Sequence, residues 1–440
     1  MLAACGPQAT PQATQPPAQE ATPEAATISW WNQYSTETVQ SVAPKIIEEF
    51  QALYPRITVT YEISGGPPGG GDFMEVLLSR IAGGNPPETA TLFAPPSQFA
   101  ARGSLLAIDD FMANATWAKP DAFYEGVLKT CQWQGKTYGL PASAGAASII
   151  INKAKFEAKG ISTKREDFPK TWAELRKLSA EFLVRENGEL KQAGFVPPWS
   201  ATWLYSMWSE LNGGKIFDAQ NAKYVIASDQ NIEWLEAWVQ WLDEEYGGDA
   251  EEMSLYGAWD TAYPPDSTLF KEIAAMGVEG SWATTDVAFP FEWEVMKFPV
   301  GPSGSKQYVA FWPNWFVVPK GAPHPQEAFL FIEYFATKGW ETWYRAIMDT
   351  PAWKAFPRDV ITAKLIDAQG QERAQDIHNF FAAYLEDAVD MWNSPIEDFA
   401  SSTLGTAVEE VVHKAKGPRE ALQEAQGLCQ AKLEETLKGG

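Results

Sequence analysis

The sequence predicts an α/β protein of two lobes, and three features predict it. The chain has 440 residues, too many for one hydrophobic core and enough for two lobes of roughly 100–200 residues each. From Ile28 onward, segments with strand periodicity alternate with amphipathic helical segments, the pattern of a parallel sheet with helices on its faces. The run from Gly135 to Lys153 reads as extended, with Tyr138, Leu140 and the block Ile149 to Ile151 suited to a buried strand. Between them lie Pro141 and a tract of Ala, Ser and Gly with almost no side chain. Such a run can pass between lobes, or it can be a strand, a bend and a second strand inside one.

In chain order, Ile28 to Trp31 is a short strand and Asn32 to Ser35 the turn after it. A helix follows from Glu37 to Tyr54, with Val39, Val42, Ile46, Ile47, Phe50 and Leu53 at helical spacing, and Pro55 stops it. Ile57 to Ile63 alternates as a strand, so the opening is strand, helix, strand with a parallel pair and a right-handed crossover. Gly65 to Asp72 is glycine-rich but lacks the Lys-Ser/Thr of a phosphate loop, which makes it a flexible connection. Phe73 to Ala82 is helical, Asn85-Pro86-Pro87 breaks it, and Thr89 to Phe93 is a third strand running into Ala94-Pro95-Pro96-Ser97. This is a doubly wound lobe, whose ligand loops lie beyond the carboxyl ends of its strands.

After the Gly135 to Lys153 run, Lys153 to Gly160 is a helical turn. Thr171 caps a helix, with Glu174 closing a capping box. The segment from Trp199 to Leu211 carries Trp199, Trp203, Tyr205 and Trp208 and ends at Asn212-Gly213-Gly214. In the helix from Ile232 to Leu242, Trp234, Trp238 and Trp241 share the face that a buried helix needs. Phe270 to Ala275 reads as a helix, followed by a strand and a glycine-marked turn that exposes Trp282. Met296 to Pro299 is a second crossing candidate. Ala310 to Pro319 returns as a strand carrying Trp312 and Asn314, and Pro325 to Phe335 is a helix. The remainder is mainly helical, with Trp392, Phe399 and a last amphipathic helix from Pro418 to Leu437.

Composition excludes several classes. Hydrophobic residues make up 45% and charged residues 21%, a globular balance, and no apolar run is long enough to span a bilayer. A net charge of −23 argues against nucleic acid and anionic membrane as partners, since neither polyanion is drawn to such a surface. His324, His378 and His413 are isolated, and no Cys or His cluster has metal-ligand spacing, so neither a metal nor a cofactor is expected. The 20 tryptophans call for an unusually aromatic core or a surface that stacks on something. Leu2-Ala3-Ala4-Cys5 resembles the end of a bacterial lipoprotein signal, with Cys5 the lipidated residue. Pro7 to Ala26 follows with no aromatic residue, a composition expected to form a flexible tether before Ile28. Cys131 and Cys429 read either as a disulfide of an exported protein or as two buried thiols.

Several pieces resemble one family, in family order. They are the strand-helix-strand of 28–63, the helix end Ala82-Gly83-Gly84-Asn85-Pro86-Pro87, Gly103-Ser104-Leu105-Leu106, Gly135 to Lys153, and Pro169-Lys170-Thr171-Trp172. Asn212-Gly213-Gly214, Ala275 to Trp282, and Trp315 to Lys320 with its Pro-Gln-Glu-Ala-Phe helix complete the set. Together they resemble the extracellular solute-binding proteins of ABC importers, in the carbohydrate cluster that includes maltose-binding protein. The resemblance implies a type II periplasmic-binding-protein fold, two α/β lobes joined by hinge strands with the ligand cleft between them. It implies a tether at 1–27, an N-terminal lobe of 28–141 plus 297–336, and a C-terminal lobe of 142–296 plus 337–440. It also implies a monomer lipid-anchored through Cys5 at the outer face of the cell membrane or in the periplasm. Such a receptor is not an enzyme; it closes on a carbohydrate and passes it to membrane permease subunits. Hinge closure of this kind follows from differential affinity for the closed state.

The family's ligand positions map residue by residue. The aromatic of its Gly-x-Trp turn falls on Trp282, and the aromatic ahead of Asn-Gly-Gly falls on Trp203, with Trp199 beside it. The loop after the first strand gives Trp31, Asn32, Gln33, Tyr34 and Ser35, and the loop after the third gives Phe93 and Ser97. The hinge loop gives Ser143 and Gly145, the strand return Trp312 and Asn314, and the late helical region Trp392. Where maltose-type members place charged groups in these loops, this chain has Tyr34, Ser35, Ala94, Pro95 and Gly145, with Asp72, Gln33 and Asn314 available as replacement polar contacts.

Sugar chemistry fits these residue types. A pyranose has an apolar C–H face for an indole plate and a hydroxyl rim for planar polar side chains; about 100 Å² of apolar area removed from water contributes about 2.5 kcal/mol. A phosphorylated polyol would want Arg or Lys, and only Arg358 and Lys354 are candidates to reach in. An amine would want a carboxylate cage, for which Asp72, Glu292 and Glu294 stand. A secreted glycoside hydrolase would need two carboxylates at roughly 5–10 Å across a cleft.

Overall fold

The computed structural model describes residues 25–33, 37–63, 71–250, 267–286, 289–307, 311–385 and 393–439. The tether and Cys5 therefore lie outside the described residues. The seven strands of the main sheet are β1 (Ala26–Asn32), β2 (Ile57–Ile63), β3 (Thr89–Leu92), β4 (Leu140–Asn152), β5 (Met276–Gly280), β6 (Trp293–Met296) and β7 (Phe311–Val317). β1 runs parallel to β2 and to β3. The helix α1 (Glu37–Leu53) makes the crossover between β1 and β2, its apolar stripe of Val39, Val42, Ile46 and Phe50 buried as the 3.6-residue period requires. The sheet order is β5-β4-β7-β3-β1-β2, with β6 also on β4.

β4 organises the molecule. Its first half pairs antiparallel with β7, from Leu140 opposite Phe316 to Ala146 opposite Phe311. Its second half pairs with β5 and β6, with Ile149 opposite both Val278 and Met296. All of its residues are buried. Leu140, Ala142, Ala144, Ala146 and Ile150 pack into one core, and Ala147, Ile149 and Ile151 into another. One continuous strand therefore joins the two cores: it enters in the first, and from Ala147 onward its alternate residues pack into the second. Two close-packed interiors meet along it at Ala144 to Ala147, where larger side chains would overfill both.

The cores account for most of the tryptophan. Trp30, Trp315, Trp340 and Trp343 are fully buried in the first, and Trp208, Trp234 and Trp238 in the second. Trp238 packs edge-on against Trp208 at 5.2 Å and Trp234 at 5.1 Å, a geometry that aligns ring edges with ring faces. Trp234, Trp238 and Trp241 sit on the helix Asp229–Tyr246, capped by Ser228 and ended by Gly247 in the left-handed region. The capping box of Thr171 and Glu174 is formed.

Four expectations are corrected or resolved. Met296 to Pro299 does not cross: Met296 and Phe298 are buried in the second core, and Val300 exchanges backbone bonds with Lys170 and Trp172. Phe270 to Ala275 is not helical, because Ile273 and Ala274 both donate to Thr268 O, Glu272 takes a φ of 58°, and Ala274 bridges Ala193. Leu269 and Phe270 are buried by this turn instead. The segment 337–440 divides: Trp340 to Leu385 pack into the first core and Ile396 to Leu433 into the second. Cys131 and Cys429 are free buried thiols, one in each core.

Candidate functional site

The carboxyl ends of β1 and β3 share a row with Trp315 of β7 and Pro141 of β4, so the first residues of β7 and the residues of β4 after Pro141 extend beyond those ends: Trp31 is opposite Ala90, Leu92 opposite Trp315, and Trp315 opposite Pro141. Just past this row, Gln33 Oε1 accepts the Phe93 N–H at 2.9 Å, tying the loop after β1 to the loop after β3. Asn314 on β7 faces Ser143 on β4, and its Nδ2 donates to Ser143 Oγ at 3.0 Å. Asn314 Oδ1 and Ser97 Oγ are buried without a partner among the described residues. Asn32, Ser97 and Ser143 are also buried. Buried polar atoms left unpaired cost free energy unless a further partner arrives, so Asn314 Oδ1 and Ser97 Oγ have unused bonding capacity.

From the other side, β5 continues through Ser281, whose N–H donates to Ala146 O at 2.7 Å and brings Trp282 beside Gly145. A Cβ built on Gly280 would fall inside the Trp282 indole. The ring therefore lies back over the Gly280 backbone, a close approach that only glycine permits. Trp282 is half-buried and leans on the first core. Side chains alternate along a strand and opposed residues share a face, so Gly280 shares its face with Ala147, Gly145 and Ser143. Trp312 pairs with Gly145 along the β4–β7 ladder, and its side chain lies outside the described residues. The structure thus ties Gln33 to Phe93 and Asn314 to Ser143, and sets Gly145 and Trp282 on the adjoining stretch of β4 and β5.

Other expected residues are placed differently. Trp31 is 4% exposed, stacked on Phe73 at 4.5 Å with the Arg80 guanidinium 5.0 Å from its ring; it is a core residue. Trp199 is 2% exposed in the second core, and its carbonyl accepts the Tyr205 hydroxyl. Trp203 is half-buried on the short helix Thr202–Leu204. Asp72 lies in the first turn of the helix Gly71–Ala82, with its side chain outside the described residues, as are Tyr34, Ser35 and Trp392 entirely. Glu294 is paired to Arg165 and Arg373, each at 2.8 Å, and Glu292 to Lys153 at 3.5 Å. Lys354 Nζ donates to Asp121 O at 3.1 Å. Among the described residues no group of His, Cys, Asp and Glu is arranged to hold a metal ion, and no helix is long and apolar enough to cross a membrane.

One group went unread in the sequence. Glu279, opposite Ser148 on β4, is 3% exposed, and burial pushes its carboxyl up to about 8. The period-2 alternation of β5 was its only signal, since Met276 and Val278 face the second core and Glu279 must face away from it.

Residues 34–342 match the family described as bacterial extracellular solute-binding protein. The multiple sugar-binding protein of Streptococcus mutans is 23% identical over 351 residues, 77% of this chain and 75% of its own. An ABC substrate-binding protein from Listeria monocytogenes, solved with cycloalternan, superposes with a TM-score of 0.72 at 18% identity, over 93% of this chain and 100% of that one. The sugar-binding protein MalE from Xanthomonas citri superposes at 0.73 with 16% identity, over 93% and 98%. The fold they share is the two-lobed α/β binding-protein fold, and the chain belongs to the bacterial extracellular solute-binding protein family.

Proposed function

We propose that this protein is the extracellular receptor of an ABC sugar importer, which closes its two lobes on an oligosaccharide and hands it to the membrane permease. The observation that carries the reading is Trp282. Its indole is seated on Gly280, and the neighbouring strands carry, in order across the sheet, Gly145 and Ser143, Asn314, and the Gln33–Phe93 bond. An aromatic plate with uncharged amides and hydroxyls is what a sugar face and its rim require. The described positions include no Arg or Lys for a phosphate, and Glu292 and Glu294 are occupied by their own ion pairs. The names of the similar Streptococcus and Listeria proteins, one a multiple sugar-binding protein and one holding cycloalternan, support a carbohydrate. In this reading the two cores are the two lobes and β4 is a hinge strand. Tyr34, Ser35, Asp72, Trp203, Trp312 and Trp392 complete the site, and the monomer is anchored through Cys5.

The test is thermal unfolding against mono-, di- and oligosaccharides, glycerol phosphates and polyamines, since a ligand of the folded state raises the midpoint. A shift with one glycan, recovered uncleaved, is expected. A shift only with phosphates or amines overturns the sugar, and cleavage of the glycan overturns the receptor.

A further inference from the structure

The face of β4 turned away from Trp282 carries a second cluster of polar groups. Ser148 and Glu279 are opposed across the β4–β5 ladder, and Ser281 lies two residues beyond Glu279 on the same face. Along the same edge of β4, Ser281 N–H donates to Ala146 O and Ala144 N–H donates to Thr350 O at 2.7 Å each. The four residues are buried, and Ser148 Oγ, Glu279 Oε2, Ser281 Oγ and Thr350 Oγ1 have no partner among the described residues. Glu279 and Ser281 belong to the strand and turn that carry Trp282. Thr350 follows Met348, which packs in the first core. On this face β4 packs into the first core on both sides of the cluster, through Ala146 and Ile150, while the other face of β4 and β5 packs into the second through Ile149 and Val278; a rotation of these strands against the segment of Met348 and Ala352 changes the distance between Thr350 and the other three.

We propose that Glu279, with Ser148, Ser281 and Thr350, is a proton-linked switch of the hinge: the arrangement described holds it as the neutral acid, and opening the crossing hydrates and ionises it. This rests on the hinge-closure reading above. Burial is the sole cause of the raised carboxyl value, with no cation contributing. Three ionisable groups on neighbouring segments are held by partners of their own, and Lys364 and Asp367 lie on the helix Ala363–Gln369. Asp349 Oδ2 accepts Trp343 Nε1–H at 3.0 Å, His378 Nδ1 meets the Tyr344 hydroxyl at 2.7 Å, and Glu294 is paired to Arg165 and Arg373. The Asp286 side chain lies outside the described residues. An acid with a raised value favours the arrangement that keeps its proton. That preference is complete below the value of the hydrated acid, near 4.5, and is lost progressively as pH rises towards about 8.

The experiment compares the ligand-free wild type and Glu279→Gln by small-angle X-ray scattering between about pH 6 and about pH 9.5, which covers the upper part of that window and the plateau above it. Wild type is expected to become more extended at the higher pH and the glutamine variant to stay compact. The same pH response in both, or none in wild type, overturns the proposal. Should Glu279→Gln not fold, Ser148→Ala with Thr350→Val keeps the acid and removes two hydroxyls that can donate to its anion. The response is then expected to move to higher pH, and an unmoved midpoint refutes the cluster. Maltotriose binding over the same range is expected to weaken by tenfold or more, up to about a hundredfold if opening fully hydrates the carboxyl, in wild type but not in E279Q. If maltotriose and the other glycans fail to bind while the scattering difference persists, the sugar reading falls and the switch stands.

Discussion

Gly280→Ala tests how the aromatic plate is set. The added methyl group makes no ligand contact in the proposed site, yet it would occupy the space of the Trp282 indole. The backbone of Gly280 is outside the left-handed region, so alanine is tolerated there and the ring has to leave instead. If the displaced indole no longer covers a sugar face, about 100 Å² of apolar area stays in water, which at about 25 cal/mol per Å² is about 2.5 kcal/mol. That corresponds to a loss of affinity of roughly 50- to 100-fold. Trp282→Ala should lose about 2–4 kcal/mol, so the two variants should fall close together. Isothermal titration with the glycan that gives the largest thermal shift measures both. Circular dichroism should show native folds. If Gly280→Ala binds as wild type does while Trp282→Ala is impaired, the seat of the ring on Gly280 is irrelevant to binding. If neither is impaired, Trp282 is not the plate.

Thr171→Ala removes the side chain that caps the helix Trp172–Ala180 and should lower stability by about 1 kcal/mol in urea, with glycan affinity unchanged. Trp238→Ala opens the second core beneath Trp208 and Trp234 and should cost about 3–5 kcal/mol by the same measurement. Cys131 and Cys429 are buried, and burial pushes the Cys429 thiol up to about 12 and that of Cys131 higher still; a thiol reagent should reach both only after denaturation. Glu279 gives a pH slope of fixed sign. Unfolded, it releases its proton near 4.5, whereas folded it keeps it to about 8. Stability should therefore fall through that window by up to about 5 kcal/mol, and the urea midpoints of Glu279→Gln should lack this fall.

The elements were legible wherever local periodicity and burial agree. The helix bearing Trp234, Trp238 and Trp241 shows its buried stripe in the sequence, and Thr171 with Glu174 names its own helix start. The Gly135 to Lys153 run read either as a crossing or as a strand, a bend and a second strand; residues 140–152 form one strand with side chains in both cores, which composition alone does not decide. The second crossing was not legible, because Met296 and Phe298 look the same in a strand that stays in one core as in one that leaves it. Phe270 to Ala275 failed for a related reason. Its apolar residues fit a helical face, but Ala274 is claimed by a bridge to Ala193, a partner remote in sequence. At the site, Gly280 and Trp282 were singled out by the resemblance to the family's Gly-x-Trp turn, and the seat of the ring on Gly280 was not visible in the sequence. The bond between Gln33 and Phe93 and the pair of Asn314 with Ser143 exist only through sheet register. Trp31 and Trp199 carried the right side chain for a plate, and only packing separates a plate from a core residue.

The two faces of β4 explain why its register matters beyond packing. Residues of odd number put Ser143 and Gly145 toward the proposed sugar site and Ala147, Ile149 and Ile151 into the second core; even residues put Ala142, Ala144, Ala146 and Ile150 into the first core, with Ser148 beside Glu279 between them. A one-residue slip against β5 would exchange the faces. It would carry Glu279 toward the second core and remove Trp282 from Gly145. The irregularity between Asn314 and Trp315 on β7 takes up a change of register on the opposite edge. It lets Asn314 meet Ser143 while Trp315 meets Pro141 and remains in the first core. Ligand contact and proton sensing would thus be read by the same strand on opposite faces. A rotation at Ala146 and Ala147 moves both together, which is the physical basis for expecting glycan affinity and the ionisation of Glu279 to be linked.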